Sequence, residues 1–290
     1  MCLIAFAWGA SERFPFVIAA NRDEFLARPT AALSLWQSPG GASVLAGRDL
    51  RDGGTWMGFS PNGRFAMLTN VRDPQAAAPA QPISRGGLAL AWLENDLPAQ
   101  LWANDIKPQH YQGFNLIVGD WQTKQCHYLS NRSQALDHTA NFKPFRPIAG
   151  IESAQSAIDL VVFEMPWGAV YGLSNATLGT PWPKTQRLKT ALQSSLSSAD
   201  ADQLIAINLQ ALADRQRSAD QQLPQTGVSL ELERALSSVF VQHPEAAPQY
   251  GTRTSLVAVY EPSKGLQVTE LTHAENNSAA SPVNAALAWP

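Results

Sequence analysis

Cys2 has more chemistry open to it than any other residue of this chain. A small second side chain favours removal of Met1, and removal would place a thiol and a free α-amine on one residue. Reference pKa values of about 7.7–8.0 for the amine and about 8.5 for the thiol are close enough for proton transfer near neutrality. Nucleophile and base would then share a residue, the logic of N-terminal-nucleophile catalysis. The competing reading is a small, inert hydrophobe at the start of a strand. A dense polar cluster, Asn21-Arg22-Asp23-Glu24, follows the second apolar run of the chain. In extended backbone, alternation sends Asn21 and Asp23 to one face and Arg22 and Glu24 to the other. One pair can then face Cys2 while the other forms a structural ion pair; a hydrated turn is the alternative. Asn70 and Asn175 each end a strand-like run after a hydroxyl residue, Thr69 and Ser174. Amide donors suit an oxyanion hole, where one is worth about 2.7–4 kcal/mol, but local composition favours turns. Gly53-Gly54 and Gly251 allow close backbone approach, to a ligand or within a turn.

The elements that must hold these groups are short apolar runs. Leu3 to Trp8 and Phe16 to Ala20 read as a hairpin of buried strands. Thr55 to Phe59 and Arg64 to Thr69 flank Ser60-Pro61-Asn62-Gly63, a strong turn. Phe114 to Gly119 with Gln125 to Leu129, and Thr254 to Tyr260 with Leu266 to Leu271, give two more hairpins. Helical spacing lies between them. Ser84 is read as the cap of a helix that ends at Pro98; Thr185 to Leu196, Ala201 to Ala213 and Leu230 to Val241 are further helices. This order predicts antiparallel sheets covered by helices rather than a doubly wound parallel sheet. One domain is expected over residues 1–273, with a peripheral tail at 274–290 from which Leu287 and Trp289 could dock.

Composition narrows the partners. The chain has 290 residues, 45% hydrophobic and 16% charged, with a net charge of −3, which is the profile of a folded chain. A pI near 6.0 and the lack of a basic run argue against nucleic acid. No apolar stretch approaches the ~20 residues of a membrane helix, so no transmembrane segment is expected. Two cysteines, Cys2 and Cys126, and no signal-peptide pattern fit a reducing cytoplasm. The histidines have no metal-ligand spacing, the haem-attachment pattern is missing, and no phosphate-binding glycine motif occurs. Trp56, Trp92 and Trp182 read as core or pocket walls.

Met1-Cys2, then Ala19-Ala20-Asn21-Arg22-Asp23-Glu24-Phe25 and Arg28-Pro29, resemble the NRDE family, the homologues of transport and Golgi organisation protein 2. The likeness continues in order through Gly53-Gly54-Thr55-Trp56-Met57-Gly58, Leu68-Thr69-Asn70, Ser84-Arg85-Gly86 and Gly113-Phe114-Asn115-Leu116. Tyr171-Gly172-Leu173-Ser174-Asn175, Thr180-Pro181-Trp182 and Tyr250-Gly251-Thr252-Arg253-Thr254 complete it, over residues 1–272.

The resemblance implies an N-terminal-nucleophile hydrolase fold, an α+β four-layer αββα sandwich of two antiparallel sheets. It also implies a more distant similarity to choloylglycine hydrolases and penicillin acylases. Carried over by position, Cys2 would be the nucleophile, Asp23 the carboxylate orienting its amine, Asn70 an oxyanion donor, Asn175 a second amide and Arg253 a distal positive charge. Asn21, Arg22, Glu24, Thr55, Trp56 and Ser174 would line or support the pocket. The cysteine hydrolases carry arginine where this chain has Ala20, and Arg22 is expected on the other strand face. The thiolate is therefore expected to lack its cationic neighbour unless Arg253 supplies one. The implied activity is hydrolysis or acyl transfer on a small non-peptide amide or thioester, with no cofactor or metal required. Family associations with secretory-pathway organisation, haem mobilisation and acyl-CoA or lipid metabolism imply the alternative, a non-catalytic carrier of haem or an acyl lipid.

Overall fold

The computed structural model describes residues 2–132, 160–242, 245–273 and 282–289. Strands β1 (Cys2–Trp8) and β2 (Phe16–Phe25) form the first hairpin. They join β10 (Ala169–Leu173), β11 (Tyr250–Glu261), β12 (Gly265–Thr272) and β13 (Val283–Leu287) in a six-stranded antiparallel sheet of order β10-β1-β2-β11-β12-β13. The second sheet has seven antiparallel strands in sequential order: β3 (Thr30–Gln37), β4 (Ser43–Asp49), β5 (Met57–Phe59), β6 (Arg64–Asn70), β7 (Phe114–Asp120), β8 (Gln125–Ser130) and β9 (Val161–Glu164).

Alternation along β1 shows how the layers assemble. Ile4, Phe6 and Trp8 enter the core between the sheets, where they meet Phe65 and Tyr128 of the opposite sheet. Leu3, Ala5 and Ala7 enter a separate core with Leu188 and Leu192 of α3 (Pro183–Ser195) and Leu204 of α4 (Ala201–Leu212). On the other side, α1 (Gly86–Glu94) and α2 (Ala99–Ala103) cover β6 and β7 with Leu88, Trp92 and Trp102. A sheet apolar on both faces must be covered on both. The result is the expected four-layer αββα sandwich.

All four expected hairpins form, and the departures have local causes. Arg85, not Ser84, precedes α1, and no side chain caps it; Ser84 contributes its carbonyl to the Gly87 N–H. The helix α1 stops at Glu94, short of the expected end at Pro98, which instead is the N-cap of α2. The last helix, α5 (Leu230–Ala235), stops six residues before the expected Val241. There the Ser237 and Ser238 hydroxyls donate to the Arg234 and Phe240 carbonyls, bonds that compete with helix continuation. The described part of the tail is not peripheral: β13 pairs with β12, and the buried Trp289 indole donates to the Ser60 carbonyl at 2.8 Å. Among the described residues no helix is long and apolar enough to cross a membrane.

Trp289 also meets Phe16 at 5.2 Å and Trp121 at 6.1 Å between ring centroids. Trp289→Ala should therefore lower unfolding free energy by about 3–5 kcal/mol in urea titrations. A loss below about 1 kcal/mol would show that the C-terminal strand adds little to the core.

Candidate active site

Cys2 stands directly opposite Arg22 in the β1–β2 ladder, and directly opposed residues share a face. The thiol and the Arg22 side chain thus lie on the inter-sheet side of β1 and β2. Alternation of Asn21 to Glu24 holds, but the pair on the thiol's side is Arg22 and Glu24, whose charged atoms are 3.7 Å apart. The expectation of a thiol without a cation is corrected: the cation stands two residues beyond Ala20, on the same face. Burial pushes the Cys2 thiol up to about 11, and Arg22 is among the charges pulling it back.

Asn21 points to the helical side. Its Nδ2 donates to the Leu212 and Val239 carbonyls, each at 2.9 Å, and its Oδ1 accepts from the Ser255 hydroxyl at 2.6 Å. Every hydrogen-bonding atom of that amide has a structural partner, which makes Asn21 a clamp on the sheet. Asp23 comes next on β2, one position past the Cys2–Arg22 pair. A bulge in β11 at Arg253 leaves Asp23 paired with Thr252, whose hydroxyl donates to Asp23 Oδ1 at 2.7 Å. Burial raises the Asp23 carboxyl above its ordinary value, opposed chiefly by Lys184. Arg253 itself leans away from the thiol and donates to the Leu26 carbonyl. It does not line the cleft onto which Cys2 opens.

That cleft has a volume of about 330 Å³ and is lined by Cys2, Arg22, Glu24, Thr55, Trp56 and Asn70 among others. Arg28, Arg48, Arg51 and Arg85 add charge around it. Arg28 donates to both Asp49 and Asp52, and Arg48 lies over the Trp36 ring at 4.7 Å. Arg22 Nη1, although buried, has no hydrogen-bond partner among the described residues. Arg85 donates to the Gly113 carbonyl at 3.0 Å, and its burial lowers its pKa while the Cys2 and Glu24 charges raise it. Sequence reasoning gave no role to Arg85 or to the charged run Arg48 to Asp52; charge density just ahead of Gly53-Gly54 was the available signal.

Asn70 ends β6 in the opposite sheet, and Asn175 follows β10 in the sheet of Cys2. Asn175 Nδ2 donates to Asn70 Oδ1 at 3.0 Å and to its carbonyl at 3.2 Å. With Oδ1 occupied, the Asn70 NH₂ group is turned the other way, and Asn70 lines the cleft. Asn175 does not line it; its amide orients Asn70. The Ser174 hydroxyl lies 3.3 Å from the Cys2 carbonyl and 3.1 Å from Asn175 Oδ1, and donates to one at a time. The Thr55 hydroxyl is held by the Gly47 and Met57 carbonyls, both at 2.8 Å. Its role is support of the cleft wall.

Glycine matters at one crossing. A Cβ on Gly54 would stand 2.4 Å from the Gly86 carbonyl carbon and 2.7 Å from its oxygen. The close approach is thus to the start of α1, where Gly86 accepts the Thr55 N–H at 3.2 Å. Gly54→Ala should push α1 off the cleft wall, lower stability by about 1–3 kcal/mol in denaturant titrations and slow alkylation of Cys2. Arg22→Met should slow alkylation of Cys2 by iodoacetamide about tenfold at pH 8, because removing the facing cation raises the thiol pKa further. An unchanged rate would remove Arg22 from the thiol's electrostatics.

The family described as Transport and Golgi organisation 2 matches residues 1–275. The Transport and Golgi organization protein 2 homolog of Bos taurus is 29% identical, the match covering 93% of this chain and 92% of the relative. The Homo sapiens homolog is 28% identical with the same coverage. Among solved structures, the C2A mutant of conjugated bile acid hydrolase from Clostridium perfringens is similar with a TM-score of 0.49 and 10% identity, covering 98% of this chain and 92% of that one. A family match that spans nearly the whole sequence, with relatives aligned along almost their full length, establishes that the chain belongs to the Transport and Golgi organisation 2 family.

Proposed function

We propose that the protein is an N-terminal-cysteine amidohydrolase-like or acyl-transfer enzyme acting on a small non-peptide amide or thioester. The supporting observation is the convergence on one cleft of the Cys2 thiol, the Arg22 guanidinium and the oriented Asn70 amide. After loss of Met1, the thiol proton passes to the Cys2 α-amine and the sulfur attacks the substrate carbonyl carbon. The carbonyl oxygen takes the negative charge and accepts from Asn70 Nδ2. As the tetrahedral species collapses, the ammonium returns its proton to the leaving nitrogen or sulfur. Water, or another acceptor, then takes the acyl group from Cys2. The unpartnered Arg22 Nη1 gives this substrate a donor beside the reacting carbon.

A second reading, a carrier of an acyl lipid or haem on the same fold, draws on exposed Phe25, Leu50 and Ile83. Ile83 lines the cleft, and the other two adjoin lining residues in sequence. For haem, Cys2 is the sole axial-ligand type among the residues lining the cleft, so a haem complex would occupy the thiol itself.

Intact mass spectrometry should show the chain without Met1, and an acylating cysteine probe should label Cys2, which lines the cleft, in preference to Cys126, which does not. Retained Met1 would falsify the α-amine mechanism. A Soret-band titration of wild type and Cys2→Ala divides the two readings: saturable binding lost in the variant supports the carrier, and no spectral change removes haem.

A further inference from the structure

The cleft onto which Cys2 opens holds more positive charge than its own carboxylates satisfy. Five arginines line it. Arg22 meets Glu24 at 3.7 Å, Arg28 pairs with Asp49 and Asp52, and Arg51 pairs with Asp52 at 3.1 Å. Arg48 lies over the Trp36 ring. The fourth acid of the lining, Asp23, is engaged by the Thr252 hydroxyl. Arg85 is left over: among the described residues its guanidinium has the Gly113 carbonyl, 3.0 Å from Nη1, as hydrogen-bond partner and no carboxylate within ion-pair distance.

Gly113 fixes Arg85 beside Asn70. The same carbonyl accepts the Val71 N–H at 2.9 Å, so one oxygen ties the guanidinium to the residue next to Asn70. Asn70, Arg85 and Gln112 line both the cleft and an adjoining cavity of about 270 Å³, which puts Arg85 and Asn70 on the wall the two share. The backbone adds to the charge. Arg85 is the N-cap of α1, whose first turn carries no acidic residue and no side-chain cap, and Gly86 of that turn lines the cleft. From the six-stranded sheet comes Arg22, 6% exposed, its Nη1 unpartnered among the described residues. Cations withdrawn from water without an anion destabilise the fold, and an anionic ligand relieves that cost.

We propose that the cleft selects an anionic acyl substrate, with Arg85 binding an oxyanion group, carboxylate or phosphate, carried close to the reacting carbonyl. This deepens the N-terminal-cysteine reading above and rests on it. Arg85 Nη1 is committed to Gly113. The Nε–Nη2 edge of the guanidinium remains, two parallel donors whose spacing matches two oxygens of a carboxylate or phosphate. A substrate whose carbonyl oxygen accepts from Asn70 places its neighbouring group at Arg85. A neutral substrate of the same size leaves that cation unpaired, which is the basis of the selection.

Two alkylating reagents of nearly equal size provide the test: iodoacetate carries a carboxylate and iodoacetamide does not. The same thiolate displaces iodide from both, so the ratio of their rates cancels the ionisation of Cys2 and reads the charge of the cleft. In the full-length, Met1-processed protein the iodoacetate-to-iodoacetamide ratio at Cys2, followed by peptide mass spectrometry, should exceed that of the urea-unfolded protein about tenfold. Arg85→Met should remove most of the excess, and Arg85→Lys, a point charge without the fork, should keep part of it. Thermal melting followed by circular dichroism shows which variants are folded. A wild-type ratio no higher than that of the unfolded chain overturns the proposal, as does an excess that survives Arg85→Met in a folded protein. Acetate and inorganic phosphate, each compared with sodium chloride at equal ionic strength, separate the two oxyanions. The one that slows iodoacetate labelling at the lower concentration is the group the cleft takes, and slowing by neither beyond chloride also overturns the site. Failure of the underlying reading looks different: wild-type protein retains Met1, or its Cys2 labels with neither reagent.

Discussion

The site depends on a seam of hydrogen bonds that joins the two sheets at one end of the sandwich. Cys2 belongs to the six-stranded sheet and Asn70 to the seven-stranded one, so nothing in either sheet alone fixes their separation. The segment after β10 does so. The Thr69 hydroxyl donates to the Ser174 carbonyl at 2.7 Å, the Asn175 amide holds Asn70, and the Arg72 N–H donates to the Asn175 carbonyl at 2.7 Å. Behind it, Asn115 Nδ2 donates to Thr69 Oγ1 and the Ala176 carbonyl, and the Tyr128 hydroxyl closes the chain of bonds on Asn115 Oδ1 at 2.6 Å. These groups are largely buried, where an unmade hydrogen bond costs far more than a made one contributes. The Cys2 thiol and the Asn70 amide therefore keep their relation as a consequence of satisfying buried polar atoms.

The hydrophobic core supplies the complementary constraint. Aromatic rings of both sheets, with Trp8, Phe16, Phe65 and Trp121 at their centre, interlock edge to face at centroid distances of 4.8–6.2 Å. This fills the interior away from the cleft and prevents the sheets from sliding. Rigid packing in the middle and hydrogen bonding at one end leave the cleft as a strongly charged opening between two fixed walls.

Much of this was legible in the sequence because the signals were local. The four hairpins carry strong turn residues or long apolar runs, and strict alternation correctly divided Asn21 and Asp23 from Arg22 and Glu24. What alternation could not supply was which face belongs to the thiol; that depends on the register Cys2↔Arg22, a pairing across the hairpin. Arg253 was misplaced for a similar reason, since its bulge exists only against β2. Strands β3, β4, β9 and β13 escaped notice, and β10 was read only as a strand-like run ending at Asn175; all but β4 are edge strands, and in β13 the run Val-Asn-Ala-Ala-Leu has little strand propensity of its own. The role of Asn175 was invisible too: an asparagine that binds a substrate and one that orients its neighbour look identical until the partner is seen.

The position of β1 inside its sheet carries a consequence for biosynthesis. This strand pairs with β2 along its whole length and with β10 from Ile4 onward, and Cys2 is already buried. An aminopeptidase must draw an extended polypeptide end into its own active site, which a doubly paired strand does not release without unfolding. On the proposed cysteine mechanism, loss of Met1 is expected before β10 returns from more than 150 residues downstream to pair with β1. On that mechanism, the order of synthesis would set what fraction of molecules carries a free amine beside the Cys2 thiol.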